Sequence, residues 1–387
     1  MSKWKRILLV FLACSLLFSV TVICVDAEPS VMPPSVSARS AVLIEAESGN
    51  VIYSKNMHEI LPMASTTKVM TALVALELAP PDTVITVDAA AIGVEGSSVY
   101  LTEGEQLTLE QLLYALMLES ANDAATAIAI GLSGSVEAFA DAMNRKASKL
   151  GLLTTHFSNP HGLDDEEHFT SALELALIAR EALKNDLFRT IVSTRKTTIP
   201  HAGIDTNRLL VNHNKLLRIY DGCIGVKTGF TKKSGRCLVS AAERDGVMLI
   251  AVTLDAPDDW KDHSAMLDYG FTQYESVTLC EAESVRVTLP VTGGTAEAVT
   301  LCNRNMLRAT LPITHGEITY TVEAPHFAYA PIQSGDSVGR IIFRCDTDGD
   351  GTVEVISSCE LVACETVQKK EQKKGFWQWL KSLLGLD

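Results

Sequence analysis

The sequence predicts an α+β domain followed by a smaller all-β module. Segments of strand character stand near residues 41–54 and 225–254, and helical periodicity fills the region between them. Beyond residue 275 the pattern changes to short strands separated by turn residues. A length of 387 residues, with 47% hydrophobic and 21% charged residues, fits a globular protein of two domains. The formal net charge of -14 argues against a nucleic-acid binder, because contacts to phosphates require a basic surface.

The first 27 residues have the pattern of a secretory signal peptide. Three basic residues at positions 3, 5 and 6 precede an apolar run at 7–25, and a cleavage site follows Ala27. An uncleaved membrane anchor is the alternative, because the run approaches the ~18 residues of a spanning helix. Both interpretations place the bulk of the chain outside the cytoplasm. Cleavage removes three of the 33 basic and one of the 47 acidic side chains, which leaves a net charge of -16.

The domain that follows, residues 28–275, begins with a predicted hairpin at 41–54 around the turn Ser48-Gly49-Asn50. The capping-box pair Thr108 and Gln111 predicts the start of a helix. Three further helices are predicted by the spacing of apolar residues: 63–78, 136–150 and 171–183. The strand pattern then returns in three segments: 225–230, 236–243 and 247–254. Strands at both ends with helices between them indicate an α+β domain.

The remaining chain is predicted to form a β module, residues 276–365, and a tail, residues 366–387. Five short strands are expected in the module: 284–289, 298–301, 317–322, 337–343 and 352–356. In the tail, a polar linker with four lysines precedes apolar residues at helical spacing over 376–386. This pattern is typical of an amphipathic helix that anchors a protein to a membrane surface, and it is too short to span a bilayer. A helix docked on the protein itself is the alternative.

The strongest local signal is Ser65-Thr66-Thr67-Lys68 at the start of an apolar helix. A serine and a lysine three positions apart lie on the same helix face, about 5–6 Å apart at Cβ. A serine hydroxyl needs an adjacent base to act as a nucleophile, and a lysine can serve when burial favours its neutral form. The helix N-terminus adds free backbone N–H groups for an oxyanion. The pair predicts nucleophilic catalysis at Ser65, although a capping serine with an incidental lysine fits these four residues alone.

Two further motifs follow in chain order. Ser120-Ala121-Asn122 interrupts two helical runs, and Lys227-Thr228-Gly229 lies on a predicted strand before a hairpin turn. With Ser65 and Lys68, they resemble the SxxK, SxN and KTG motifs of penicillin-recognising serine enzymes. The residues around them, together with Asn159-Pro160-His161-Gly162-Leu163, resemble the low-molecular-mass D-alanyl-D-alanine carboxypeptidases of serine peptidase family S11. The resemblance extends from about residue 38 to residue 255. Phe230 departs from it, because other members have histidine or tyrosine after KTG.

The resemblance implies a β-lactamase-like serine transpeptidase fold for the catalytic domain, and the β module matches the family's usual second domain. It also implies an exported enzyme at the extracytoplasmic face of the membrane. Such an enzyme removes the terminal D-alanine from peptidoglycan stem peptides and binds β-lactam antibiotics. No metal or organic cofactor is expected.

The same resemblance implies a role for each motif residue. Ser65 would form the acyl-enzyme after Lys68 takes its proton, and Ser120 would relay a proton to the leaving amine. The substrate would be held by the remaining motif residues: Asn122, Lys227, Thr228 and Gly229. The backbone N–H groups of Ser65 and Phe230 would bind the oxyanion.

Two rival functions share the three motifs. A β-lactamase needs a device for rapid deacylation, which class A enzymes supply from a glutamate in an ExxLN-type segment. Glu166 and Glu167 are followed here by His168-Phe169-Thr170, so that segment is absent. A non-catalytic penicillin-binding or sensing module stays open, because acylation and turnover are separate steps.

The other clusters of polar residues predict no metal site. The histidines at 156, 161 and 168 fit no common zinc spacing, and the acidic loop at 346–351 lacks the glutamate of a calcium loop, with Ser357 in its place. His213 is expected to be a structural loop residue, with a contact to a substrate carboxylate as the alternative. Seven cysteines follow residue 27, and their odd number and spacing support no disulfide assignment.

Overall fold

A computed structural model describes residues 32–371 except Ile204 and Asp348. The predicted signal peptide and the predicted helix at 376–386 lie outside the described residues. Within the described residues the structure has strands at both ends of the first domain, helices between them and a β-rich region after them. The predicted α+β class with a C-terminal all-β region is confirmed.

The first domain is built on a five-stranded antiparallel sheet. Its strands and those of two small hairpins are, in chain order, β1 (Ser40–Glu45), β2 (Val51–Lys55), β3 (Val84–Thr86), β4 (Gln106–Thr108), β5 (Lys196–Ile199), β6 (Arg208–Val211), β7 (Cys223–Thr231), β8 (Gly235–Arg244) and β9 (Val247–Leu254). The order in the main sheet is β2-β1-β9-β8-β7, so β7 is an outer strand. The motif Lys227-Thr228-Gly229 therefore lies at one edge of this sheet.

Helices cover both faces of the sheet. The α-helices are Lys68–Leu78, Leu109–Leu118, Asn122–Ser133, Val136–Lys149, Ala172–Ala182, Asp186–Ser193, Leu216–Ile219 and Asp259–Phe271. On β1, Val42 and Ile44 belong to the large core shared with most of the helices. Ala41 and Leu43, on the opposite face, belong to a smaller core with the helix Asp259–Phe271. Burial on both faces explains why this strand is apolar at successive positions rather than at alternate ones.

The helix Lys68–Leu78 is buried along most of its length. All positions from Lys68 to Ala75 are inaccessible to solvent or nearly so. A helix that is apolar around its whole circumference belongs in the interior of a domain. The turn before this helix carries the predicted nucleophile, Ser65. It lies beside strand β7, where Gly229 packs directly against the backbone of Ser65.

The sequence predicted most of these elements within a few residues. The capping box is present, since the Thr108 hydroxyl accepts from the Gln111 N–H at 3.3 Å and the Gln111 side chain accepts from the Thr108 N–H at 2.9 Å. The helix predicted at 63–78 begins instead as a 3-10 turn over Ala64–Thr67. The structure also contains elements that were not predicted: the helices Asp186–Ser193, Leu216–Ile219 and Asp259–Phe271, and the small hairpins β3–β4 and β5–β6.

The β-rich region has eight strands. They are β10 (Tyr274–Cys280), β11 (Arg286–Thr292), β12 (Ala298–Cys302), β13 (Leu307–Pro312), β14 (Thr319–Glu323), β15 (Ala328–Tyr329), β16 (Ser337–Cys345) and β17 (Glu354–Ala363). Six form a sheet in the order β14-β16-β17-β12-β11-β15, and β10 pairs with β13 in a separate sheet. The predicted strands match five of these, whereas β10, β13 and the short β15 were not predicted.

The chain stays attached to the β module beyond residue 365. Val367 pairs with Ile332 and is 1% exposed, and the Lys370 N–H donates to the Gly293 carbonyl at 2.8 Å. The polar linker predicted from Thr366 is therefore ordered against the module as far as Lys370. The composition of this segment is polar apart from Val367, so nothing in the sequence indicated that this valine is buried. No helix among residues 32–371, in their described part, is long and apolar enough to cross a membrane.

Candidate active site

Ser65 lies in a tight turn that its neighbours fix. The turn Ala64–Thr67 precedes the buried helix, and Ala64 adopts a left-handed conformation with φ of 48°. The hydroxyl groups of Thr66 and Thr67 donate to the carbonyls of Met63 and Ala64 at 2.5 and 2.8 Å. These side chains satisfy local carbonyl groups and hold the turn, so the Ser65 hydroxyl is positioned by backbone rather than by a flexible loop.

Lys68 is buried beneath this serine. Its Nζ lies 3.0 Å from Ser65 Oγ, 2.7 Å from Asn122 Oδ1 and 2.6 Å from the carbonyl oxygen of His161. Burial holds the pKa of Lys68 well below its ordinary value, and the positive charge of Lys227 lowers it further, against an opposing effect of Asp123. The predicted pair of serine and lysine is therefore in contact, and burial favours the neutral form of the amine.

A turn after the central helices supplies the carbonyl group of His161. The Asn159 side chain accepts from the Gly162 N–H at 2.7 Å and donates to the Leu163 carbonyl at 3.0 Å. Gly162 has φ of 88°, and a Cβ there would overlap the Ala64 carbonyl oxygen. The turn therefore packs directly against the nucleophile. Sequence reasoning found this turn but missed its part in the site, because the contributing atom belongs to the backbone.

Ser120 and Asn122 stand where two helices meet. Ser120 has φ of 61°, a conformation that is strained for a residue with a side chain, and it is 6% exposed. Asn122 bonds to Lys68 through Oδ1 and donates from Nδ2 to the Glu95 carbonyl at 2.5 Å. Asp123, which was not predicted, accepts from the Leu101 N–H at 3.1 Å and anchors the neighbouring loop. The second motif thus contacts the first through Asn122.

Strand β7 brings the third motif to the same place. Lys227 is 2% exposed, and its Nζ donates to the Thr228 carbonyl at 2.9 Å. Burial lowers the pKa of Lys227 to about 7, although Glu119 acts in the opposite direction. A Cβ on Gly229 would stand 3.1 Å from the backbone nitrogens of Ser65 and Thr66. Only glycine lets the strand approach the turn this closely.

The backbone N–H of Phe230 points away from strand β8. The next residue, Thr231, donates its N–H to the Ser234 hydroxyl within the β7–β8 hairpin at 3.0 Å. Because successive N–H groups of a strand point to opposite edges, the Phe230 N–H points to the outer edge of β7. The Phe230 side chain is 65% exposed. The departure from histidine or tyrosine therefore leaves the backbone donor in place.

These residues surround one cleft of about 400 Å³. Its lining consists of Ser65, Ser97, Ser120, His213, Lys215, Thr228, Gly229, Phe230, Arg236, Asp259 and Trp260. Lys68, Asn122 and Lys227 are not part of the lining and are buried. All predicted site residues are thus either on the cleft or next to residues that line it.

Five lining residues were not predicted: Ser97, Lys215, Arg236, Asp259 and Trp260. Arg236 Nη2 donates to both carboxylate oxygens of Asp259 at 3.0 and 2.9 Å, and its guanidinium lies 5.8 Å from the ring centre of Trp260. Their positions in the sequence carry no motif that could have identified them. His213 also lines the cleft, and its Nε2 lies 3.2 Å from a Glu119 carboxylate oxygen.

His168 and His161 both lie next to the turn that carries Ser65. His168 contacts the Thr67 hydroxyl through Nε2 at 2.7 Å and accepts from the Ser158 N–H through Nδ1 at 3.1 Å. Burial lowers the pKa of His168 to about 4 and that of His161 to about 3, so both are neutral near pH 7. In the described part of the chain, no group of three or more His, Cys, Asp or Glu side chains could hold a metal ion.

Related sequences place this arrangement in context. A family profile for D-alanyl-D-alanine carboxypeptidases, peptidase S11, matches residues 27–258. The D-alanyl-D-alanine carboxypeptidase DacF of Bacillus subtilis is 33% identical over 360 residues, which cover 90% of this chain and 89% of the relative. The D-alanyl-D-alanine carboxypeptidase DacC of Escherichia coli is 31% identical over 340 residues, 82% of each chain.

Solved structures agree with the sequence relatives. Penicillin binding protein 5 of Haemophilus influenzae superposes with a TM-score of 0.64 at 27% identity and covers 88% of this chain and 100% of its own. The DD-transpeptidase of Streptomyces K15 gives a TM-score of 0.59 at 33% identity and covers 62% of this chain and 99% of its own. With a family profile that matches more than half of its length, this chain belongs to the peptidase S11 family of D-alanyl-D-alanine carboxypeptidases.

Proposed function

We propose that this protein hydrolyses the terminal D-Ala-D-Ala bond of peptidoglycan stem peptides through an acyl-enzyme on Ser65, and that β-lactams acylate the same serine. The observation that carries the assignment is the 3.0 Å distance between Ser65 Oγ and a buried Lys68 Nζ. The family supplies the reaction class and the substrate class. The roles of individual residues follow from the contacts described above.

The surroundings of Lys68 suit a neutral amine that acts as a base. A neutral amine has two N–H donors and one lone pair. Two of the three partners of Nζ, the Asn122 side-chain oxygen and the His161 carbonyl, can only accept. When they take both N–H groups, the lone pair faces the third partner, the Ser65 hydroxyl. Lys68 then removes the Ser65 proton as the oxygen attacks the peptide carbonyl.

The oxyanion would form between the nucleophile turn and strand β7. Ser65 contributes its backbone N–H from the start of the helix, where donors lack intrahelical partners. Phe230 contributes its N–H from the outer edge of β7. One such donor is typically worth about 3–4 kcal/mol of transition-state stabilisation. Gly229 permits the close approach on which this pairing depends.

The second and third motifs would handle the leaving group. As the C–N bond breaks, Ser120 gives its proton to the departing D-alanine amine and receives the proton that Lys68 took from Ser65, with Asn122 and Lys227 holding the relay. Lys227 and Thr228 bind the terminal carboxylate. A water then attacks the Ser65 ester, which releases the shortened peptide and restores the serine hydroxyl. The cycle consumes one water and requires no cofactor.

The rival β-lactamase activity lacks a suitable carboxylate in the described site. Glu166 and Glu167 are exposed, and neither lines the cleft. Asp259, the acidic residue in the lining, is paired with Arg236. We therefore expect β-lactams to acylate the enzyme and leave slowly, as inhibitors rather than substrates.

The test combines a peptide substrate with a labelled penicillin. Wild-type protein should release D-alanine from diacetyl-L-Lys-D-Ala-D-Ala and retain the label, whereas Ser65→Ala should lose both. Ser148→Ala, a matched change at an exposed position of the helix Val136–Lys149, should behave as wild type. Labelling without D-alanine release would identify a non-catalytic penicillin-binding module. Rapid opening of the β-lactam would identify a β-lactamase, and labelling that survives in Ser65→Ala would exclude Ser65 as the nucleophile.

We also propose that the mature protein is exported and held at the membrane surface by its tail. The tail is basic, with five lysines against Glu371 and Asp387 over 366–387, whereas the cleaved chain as a whole is acidic. Near-surface lysines each add about 1 kcal/mol of attraction to anionic lipid, and an amphipathic face can enter the headgroup boundary. The predicted signal peptide and residues 372–387 of the tail lie outside the described residues.

The ordered stretch through Lys370 tells where the tail can be removed without disturbing the β module. A chain of residues 28–371 should keep D-alanine release and lose binding to anionic vesicles. Trp379→Glu in the mature protein, residues 28–387, should weaken vesicle binding without changing catalysis. Equal co-sedimentation of the chains 28–371 and 28–387 would contradict the anchor. Vesicles of neutral lipid serve as the control for the electrostatic part.

A further inference from the structure

The β module holds two close pairs of cysteines. Cys280 is the last residue of β10 and Cys359 lies within β17, so the two belong to different sheets. Both pack in the same apolar cluster, where Cys280 is 8% exposed. Their thiols are close enough to hydrogen-bond to each other. These positions are separated by 79 residues in sequence, which is why spacing alone did not connect them.

The second pair lies where β12 and β17 meet. Cys302 is opposite Val362 in the antiparallel register, and the Cys364 N–H donates to the Thr300 carbonyl at 2.8 Å. Cys302 and Cys364 are thus diagonal neighbours on adjacent segments, a placement from which side chains on one face can touch. Burial raises the pKa of the Cys364 thiol, and the Cys302 thiol is close enough to raise it further.

We propose that the oxidised protein contains two disulfides, Cys280–Cys359 and Cys302–Cys364. The other three cysteines after residue 27 remain thiols. Cys223 and Cys345 donate to backbone carbonyls, at 3.4 Å to Gly225 and 3.2 Å to Gly316 respectively. Cys237 is wholly buried in strand β8. The described contacts of these three involve no second cysteine, which accounts for the odd total.

The two bridges would connect parts that the hydrogen-bond ladders leave separate. Cys280–Cys359 would join the two-stranded sheet of β10 and β13 to the six-stranded sheet. Cys302–Cys364 would fasten the chain directly after β17 to β12, just before the segment that leads to the tail. A pulling force on the tail would then be transmitted to β12 by a covalent bond, in addition to the packing of Val367 against the module.

Each bridge requires removal of two electrons and two protons from a thiol pair. A thiolate attacks an external disulfide and forms a mixed disulfide, and the second thiol then displaces the reduced carrier. The external disulfide is that of an exported thiol oxidoreductase, or glutathione disulfide in the assay, and it leaves as two thiols. Burial and the neighbouring Cys302 thiol raise the pKa of the Cys364 thiol to about 11. Thiol–disulfide exchange at Cys364 is therefore faster at alkaline pH.

The experiment uses the mature chain, residues 28–387, with an intact tail. The reduced protein is incubated with glutathione disulfide at pH 8.5, denatured, alkylated with iodoacetamide and digested. Mass spectrometry should find three alkylated cysteines before reduction and seven after it, with two cross-linked peptide pairs joining 280 to 359 and 302 to 364. Seven alkylated cysteines before reduction, glutathione adducts at the paired positions, or any other pairing would overturn the proposal.

Single substitutions separate the two bridges. Cys359→Ser should remove only the 280–359 cross-link, and Cys364→Ser only the 302–364 cross-link. Cys345→Ser is the matched control and should leave both. D-alanine release, which depends on no cysteine, reports whether each variant is folded. A variant that keeps this activity but loses the other cross-link, or one in which the remaining cysteine of the pair cross-links to a different cysteine, would show that the pairing is wrong.

Discussion

Replacement of Asn122 by aspartate tests whether Lys68 acts as a neutral base. The side chain keeps its shape, but a carboxylate then stands 2.7 Å from Lys68 Nζ in place of an amide oxygen. An opposite charge at this distance raises the pKa of a lysine by about 1–3 units. At a pH below the wild-type pKa of Lys68, the neutral fraction of the amine, and with it the rate of acylation, should fall about 10- to 1,000-fold.

The sign of the pH dependence distinguishes this effect from simple damage. Because the pKa of Lys68 rises, activity should return as the pH increases, and the acid limb of the rate profile should move to higher pH by the same 1–3 units. Asn122→Ala removes the same hydrogen bond without adding a charge, so it should lower the rate with no alkaline recovery. Both variants lose the bond from Nδ2 to the Glu95 carbonyl, so their thermal unfolding is measured alongside.

The assay is acylation by a labelled penicillin under single-turnover conditions from pH 6 to 10. Asn185→Asp is the matched control, because Asn185 caps the helix Asp186–Ser193 and aspartate caps a helix equally well. A loss in Asn122→Asp that is constant across the pH range would refute a base whose protonation Asn122 controls.

Three further predictions concern Gly229 on strand β7, the substrate carboxylate and the buried His263. Gly229→Ala must widen the gap to Ser65 by a few tenths of an ångström, so acylation should slow roughly tenfold with little change in melting temperature; an unchanged acylation rate would contradict the close approach. Since burial lowers the pKa of Lys227 to about 7, KM for a peptide with a free terminal carboxylate should rise as the pH increases through 7, and a peptide with an amidated terminus should be a poor substrate at every pH. Burial lowers the pKa of His263 to about 3 in the folded protein, whereas the histidine of the unfolded chain takes up a proton as the pH falls below about 6.5. The free energy of unfolding should therefore fall by about 2 kcal/mol at pH 5. Thermal unfolding at pH 7 and pH 5 measures this difference, which His263→Gln should reduce.

Local spacing was enough to predict that Ser65 and Lys68 are neighbours, but their catalytic role came from the resemblance of all three motifs. Ser65 and Lys68 stand three positions apart, and helical geometry brings them together without any knowledge of the rest of the fold. Ser120 and Lys227 are different, because nothing local connects positions more than 50 and 150 residues away. Their place in the site came from a resemblance in motif order, and the fold brings all three motifs to one cleft.

The features that escaped prediction depend on tertiary partners. The first turn of the helix Asp259–Phe271 carries two acidic residues, Asp259 and Asp262, and no helix was predicted there. In the fold, Asp259 pairs with Arg236, and Asp262 accepts from the backbone of Ser37 and Ala38. The contribution of His161 is a backbone oxygen, which no side-chain pattern reveals. The cysteine pairs likewise involve distant positions: sheet register places Cys302 near Cys364, and packing between two sheets places Cys280 near Cys359.

The crowding of Gly162 against the Ala64 carbonyl has a consequence for sorting homologous genes. Any side chain at that position displaces the turn that carries the serine, even when the serine and lysine letters themselves are intact. A sequence that keeps both letters but has lost this glycine has changed the shape of its nucleophile turn. We therefore expect this glycine, together with the SxxK motif, in relatives that keep the peptidase activity.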